Sequence, residues 1–283
     1  MTADDHRALP MSSQRHPLAI GVIGGPTAVI DYGGLRFVTE PTFDPPGEYG
    51  AYRKEIGPAL SPAELGAVDA VLLSHDLHPD NFDHAGRTFA QTVPVILTGP
   101  QAAGRLGGNA HGLAAFTSTE VLGADSGPGV TVYAVPAQHG PSDGDRDEYG
   151  NINTEVTGFV LQYDGLPTVY VSGDNASIAP VREIADRFPA VDIAILHTGA
   201  ARVPTKNSGR ALTLTADRAA AVTELIGASI VVPVHCEGWS LYSETPEDIR
   251  RSFDDAGIGA RLRDARPGYW AVHGTDSAGS LVN

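Results

Sequence analysis

Ten short apolar runs, rich in β-branched residues, recur along the chain: LAIGVI (18–23), TAVI (27–30), LRFVT (35–39), DAVLLS (69–74), VPVILT (93–98), VTVYAVPA (130–137), GFVLQY (158–163), TVYVSG (168–173), VDIAILH (191–197) and SIVVPVH (229–235). Each is bounded by Gly, Pro or Asp, the pattern of strands closed by turns. That much sheet must bury its apolar faces, and helical patterns lie between the runs to cover them. Ser61-Pro62-Ala63-Glu64 and Thr245-Pro246-Glu247-Asp248 each place a capping hydroxyl, a proline at the first helical position and an acid three residues on, so both predict helix starts. Ala216 to Ile226 predicts a third helix, entered from Thr215 with Asp217 in its first turn and left through Gly227. Residues 1–16 are polar and unpatterned and are expected to form a loose tail. Residues 17–283 show no repeat, low-complexity tract or linker and are expected to form one domain of mixed strands and helices.

Five of the runs lead straight into a metal-competent side chain. DAVLLS leads to His75, VTVYAVPAQ to His139, TVYVSG to Asp174, VDIAIL to His197 and SIVVPV to His235. Side chains just past strand ends are held by a rigid scaffold yet reach a common cleft, which suits ligand and catalytic sites. The loop His75-Asp76-Leu77-His78-Pro79-Asp80-Asn81-Phe82-Asp83 is the densest, with two imidazoles and three carboxylates in nine residues. Imidazole nitrogens and carboxylate oxygens are the donors that zinc, iron or manganese take. Each member also has a plainer role. Asp174 suits a turn, Asp80 and Asp83 suit the start of a helix, and His197 suits the core and is kept outside the ligand set. The dense loop together with the other strand ends points to a metal or catalytic site.

The balance of 34 acidic against 19 basic residues, a formal charge of -15, opposes contact with nucleic acid and with anionic membrane surfaces. No apolar run approaches the roughly 20 residues that cross a bilayer. The single cysteine, Cys236, excludes an intramolecular disulfide, and the N-terminal residues lack the apolar core of a signal peptide, so a cytoplasmic protein is expected. Its expected partner is a small-molecule substrate, with no nucleic acid and no membrane; a homo-oligomer is compatible with the sequence.

These segments resemble the metallo-β-lactamase superfamily, and within it the branch of the ascorbate-6-phosphate lactonase and related small hydrolases. TAVIDYGGLRFVTEPTFD is similar to the family's opening hairpin and its Asp-Pro turn, here Glu40-Pro41. LLSHDLHPDNFD is similar to the Ser-His-x-His-x-Asp-His loop, AVPAQHG to the third metal-binding segment, YVSGDN to the turn of the bridging aspartate, and VVPVHCEGW to the last histidine segment. The resemblance implies an α+β fold, a four-layer αββα sandwich with its metal site at one edge of the sheets. It also implies that His78 and His139 bind a first metal, that Asp80 and His235 bind a second, and that Asp174 bridges them. Two positions depart from the pattern. Asp76 stands where the first histidine is expected, with His75 displaced by one residue, and Asn81 stands where a histidine follows the aspartate. Counting leaves both His75 and Asp76 as candidate ligands, and the amide of Asn81 is a poor zinc ligand. The expected cofactor is Zn²⁺, one or two ions, with Mn²⁺ or Fe as alternatives.

The implied chemistry is hydrolysis of a small ester or lactone by a metal-activated hydroxide, with Asp80 orienting the water and moving its proton. Arg202, Lys206 and Arg210 offer anion contacts, Tyr52, Trp239 and Tyr242 offer apolar walls, and Asp83 or Glu237 offers an acceptor behind a ligand histidine. Two other readings stay open: a phosphodiesterase acting on a small phosphodiester, and a protein that keeps the fold and binds metal or ligand without turnover, which Asp76 and Asn81 favour.

Overall fold

The computed structural model describes residue 9, residues 15–123 and residues 129–274. The described chain runs β1 (Leu18–Gly24), β2 (Thr27–Tyr32), β3 (Leu35–Thr39), β4 (Gly47–Tyr49), β5 (Tyr52–Lys54), β6 (Ala70–Leu72), α1 (His84–Ala90), β7 (Val95–Thr98), α2 (Pro100–Leu106), β8 (Ala110–Gly112), β9 (Ser118–Val121), β10 (Val130–Pro136), β11 (Thr157–Gln162), β12 (Val169–Val171), α3 (Ala179–Arg187), β13 (Ile193–His197), α4 (Ala216–Ile226), β14 (Ile230–Val234), α5 (Pro246–Asp255) and β15 (Tyr269–His273). Seven strands form one sheet in the order β15, β1, β2, β3, β6, β7, β8, and six form another in the order β14, β13, β12, β11, β10, β9. A small ribbon, β4 with β5, stands apart.

The central strands of the two large sheets are buried on both faces, and their alternation sorts side chains between inner and outer cores. In β1, Leu18, Ile20 and Val22 point between the sheets and meet Val132, Phe159 and Ile195 of the other sheet. Ala19 and Ile23 point the opposite way, into a cluster with Val71, Ile96 and the α1 residues Phe89 and Ala90. Across the second sheet, Val160, Tyr170, Ala194 and Val231 pack on Val181 and Ile184 of α3, Ala219 and Val222 of α4, and Ile249 and Phe253 of α5. The layers are therefore helix, sheet, sheet, helix. Continuous apolar runs follow from that arrangement, because a strand covered on both sides has no solvent face to make polar.

Each of the ten runs contains a strand; β4, β5, β8, β9 and β15 are additional. The capping box at Thr245 opens α5, and Thr215 and Gly227 bound α4, with Gly227 left-handed at φ 74°. The same box at Ser61 opens only a 3₁₀ turn, Pro62–Leu65, because Gly66 follows at φ 70° and ends it. The expected loose tail lies for the most part outside the described residues. Leu9 is described and is buried: its amide donates to Gly268 O at 2.9 Å, and a Cβ on Gly21 would lie 2.3 Å from Leu9 Cδ2. Glycine at position 21 makes room for that contact. Among the described residues no helix is long and apolar enough to cross a membrane.

Candidate metal centre

Six strands deliver the site to one edge of the sandwich. β3 and β6 are parallel neighbours and end before Glu40 and His75. β12, β13 and β14 are parallel in the other sheet and end at Asp174, His197 and His235. β10 lies two antiparallel steps from β12, so it points the same way and ends before His139.

Three imidazoles converge on one point. His75 Nε2 lies 2.6 Å from His78 Nδ1, and His139 Nε2 lies 3.1 Å from the same atom. His139 Nδ1 faces Leu212 O at 2.9 Å; a carbonyl only accepts, so Nδ1 carries the proton and Nε2 keeps a lone pair in the neutral ring. His75 Nδ1 faces Ser74 Oγ at 3.0 Å. Burial, then the neighbouring His78, holds the His75 imidazole well below its ordinary pKa; burial, then His139, lowers that of His78 to about 4. His78 Nδ1 can make only one hydrogen bond, so it cannot serve both His75 Nε2 and His139 Nε2, and a divalent cation is a partner that three such nitrogens suit.

A carboxylate half adjoins this trio. Asp174 Oδ2 lies 3.8 Å from His139 Nε2, while Asp174 Oδ1 accepts from His197 Nδ1 and from Asn81 Nδ2, each at 2.9 Å, and lies 3.4 Å from His235 Nε2. Asp80 Oδ2 lies 3.2 Å from His235 Nε2, and Asp80 Oδ1 accepts from Tyr52 OH at 3.1 Å. Burial works against the charge on Asp174, but His235 and the hydrogen bond from His197 hold its carboxyl well below the usual range. Burial also opposes protonation of His235, and Asp174 with Asp80 overrides it, raising its pKa. Glu40, at φ 37°, accepts from the Ser74 amide at 2.7 Å and from Asn81 Nδ2 at 3.4 Å; burial first, then the charge of Asp174, pushes its carboxyl well above the usual range.

The structure thus brings His75, His78, Asp80, His139, Asp174 and His235 together. It corrects the reading of Asp76 as a ligand: Arg105 Nη2 lies 2.5 Å from Asp76 Oδ1, and Arg105 Nε lies 3.0 Å from Oδ2. A buried carboxylate needs a cation, and Arg105 supplies it, leaving His75 to face the other histidines. Asp83 does not stand behind a ligand histidine either. It caps α1 through Gly86 N at 2.8 Å and pairs with Lys54 Nζ at 3.0 Å. Glu237 lines a separate hollow of about 390 Å³, with Cys236 and Arg263, that shares none of the cluster's side chains. Leu212 O is instead the acceptor behind His139, and Ser74 Oγ stands behind His75. His197 is buried as a core histidine would be, yet it also holds Asp174 and stacks on His235 at 5.3 Å and 13°. Its place at the end of an apolar run was the signal for it; Glu40 had none beyond its turn.

The cluster opens into a cavity of about 210 Å³ lined by Tyr52, His78, Asp80, His139 and Asp174, with Ala51, Val203, Leu212 and Leu241 as apolar wall. Of the expected aromatic walls, Tyr52 lines the cavity, Trp239 packs with Tyr49 and Tyr52, and Tyr242 packs against His235.

Comparison with known proteins agrees with this architecture. The family model described as Beta-lactamase superfamily domain matches residues 36–236. A UPF0173 metal-dependent hydrolase of Methanosphaerula palustris is 30% identical over 190 residues, covering 66% of this chain and 76% of that protein. Another, from Pyrococcus abyssi, is 27% identical over 198 residues, covering 69% of this chain and 78% of that protein. The crystal structure of isothiocyanate hydrolase from Delia radicum gut bacteria superposes with a TM-score of 0.72 at 22% identity, covering 88% of this chain and 96% of that one, a likeness of fold.

Proposed function

The chain belongs to the β-lactamase superfamily and has the metallo-β-lactamase fold, and from that premise we propose that it is a metal-dependent hydrolase acting on a small ester or lactone. The observation that carries this reading is the convergence of His75 Nε2, His78 Nδ1 and His139 Nε2, with His78 and His139 lining the cavity. A divalent ion bound there supplies Lewis acidity toward a carbonyl oxygen and brings the pKa of water into the neutral range. Three imidazoles beside a carboxylate suit zinc, with iron or manganese as the alternatives. Asp174, fixed from behind by His197, adjoins the trio as a further donor. Asp80 lines the cavity with one oxygen on Tyr52 OH and the other on His235, so its carboxylate is held where it can orient a water and take its proton. The cavity, about 210 Å³, is smaller than the roughly 300–1,000 Å³ of drug-sized sites, which favours a compact substrate.

The test is a panel of lactone, ester, thioester, phosphodiester and isothiocyanate substrates on protein of measured metal content, with and without chelator. Chelator-sensitive turnover of a lactone or ester is the expected result. Turnover confined to phosphodiesters, or stoichiometric metal with no turnover of any class, would replace this reading.

A further inference from the structure

We propose that the substrate of this site carries a single carboxylate, which Lys206 and Asn153 bind at the cavity wall. The reaction assumed rests on the hydrolase reading above; the recognition rests on separate observations. Arg202, Lys206 and Arg210 share one loop, and the structure separates them. Arg202 Nε donates to Ser243 Oγ and Nη1 to Gly209 O, both at 3.0 Å. Arg210 Nη1 pairs with Asp143 at 2.6 Å, and its Nε donates to Asn207 O at 3.1 Å. Lys206 alone of the three lines the cavity that holds the histidines, and its ammonium has no partner among the described residues. Asn153 lines the same cavity, and its amide nitrogen is buried without a hydrogen bond. Buried donors are ordinarily paired, so the unpaired Asn153 side-chain amide, in a cavity that Lys206 also lines, marks a place for an acceptor that comes from outside the protein.

The loops that carry both donors are tied together. Asn153 sits at φ 60°, a left-handed conformation that Asn tolerates, and its backbone N–H donates to Asp145 O at 2.8 Å. Asp145 also ties down the loop of Lys206: its amide donates to Asn207 Oδ1 at 2.6 Å, and Asn207 N donates to Asp145 Oδ2 at 3.3 Å. Asn207 and Ser208 are both left-handed, at φ 47° and 56°. One aspartate thus ties the two long polar loops together, so both donors reach a ligand from tethered backbone. One ammonium and one neutral amide balance a monoanion.

The test compares γ-butyrolactone with γ-carboxy-γ-butyrolactone on zinc-loaded wild type, Lys206→Met and Lys206→Arg, and measures binding of the unreactive cyclopentanecarboxylate by calorimetry. Lys206 is exposed, so these substitutions spare the core. In Lys206→Met the ratio of kcat/KM for the carboxylated over the neutral lactone is expected to fall by roughly 10-fold or more, mainly through KM, as loss of a charge-assisted hydrogen bond predicts. Lys206→Arg is expected to recover part of it, and cyclopentanecarboxylate binding to weaken in parallel. An unchanged ratio with unchanged binding in Lys206→Met overturns the proposal. Lys206-dependent binding with no turnover of either lactone upholds the recognition and sinks the lactone reading of the reaction.

Discussion

Asn81 donates to Asp174 Oδ1 at 2.9 Å and has its own amide oxygen 3.4 Å from His235 Nε2, where a histidine would present a lone pair to an ion. Asp174 and Asp80 are thus held by hydrogen bonds, while the inner nitrogens of His75, His78 and His139 crowd together, and His197 Nε2 and His235 Nδ1 are buried without a partner. Wild-type protein is expected to retain about one tightly held ion per chain, and Asn81→His to raise this toward about two, because imidazole replaces a weak amide ligand; elemental analysis after gel filtration checks it, and an unchanged ratio would show that Asn81 does not limit occupancy. Asp76 makes the opposite case. Its carboxylate is buried but its partner Arg105 is about a third exposed, so Asp76→Ala is expected to cost about 1 kcal/mol of stability after solvent screening. It should leave metal content untouched. Loss of the ion in that variant, measured the same way, would return Asp76 to the ligand set.

Helix ends show what a local signal can and cannot specify. Thr245 and Ser61 carry the same reciprocal cap, Thr245 N donating to Asp248 Oδ2 at 2.9 Å and Ser61 N to Glu64 Oε2 at 2.7 Å. Only the first opens a full helix. Beyond Thr245 the chain presents Ile249 and Phe253 to the second sheet's outer core, so packing extends what the cap begins. Beyond Ser61 the chain reaches Gly66 with Leu65 alone buried in that turn. Thr245→Ala is accordingly expected to lower stability by about 1 kcal/mol, seen as a reduced denaturation midpoint at unchanged slope; a shift within error would mean that packing alone holds the end of α5.

At the scale of the whole molecule the centre joins the two sheets, since His75 and His78 follow a strand of one and His139, Asp174 and His235 follow strands of the other. An ion bound there favours only the closed sandwich, and free metal at a hundredfold over its Kd stabilises by about 2.7 kcal/mol. Chelation is expected to lower Tm and to speed alkylation of Cys236. That thiol is buried, and burial pushes its pKa to about 12, so it reacts slowly in the closed fold and faster when the fold opens. Equal labelling rates with and without metal would separate the centre from global stability. Strand runs, the caps of α4 and α5 and the order of the metal-competent segments were legible in the chain, because periodicity, capping and turn chemistry are written in residues a few positions apart. Which side chains meet was not. Arg105 claims Asp76 from 29 residues away, His197 reaches Asp174 from the next strand, and Asp145 ties the loop of Lys206 to that of Asn153. Those outcomes are competitions among distant partners for buried charge and hydrogen bonds, and only the closed fold sets the distances that decide them.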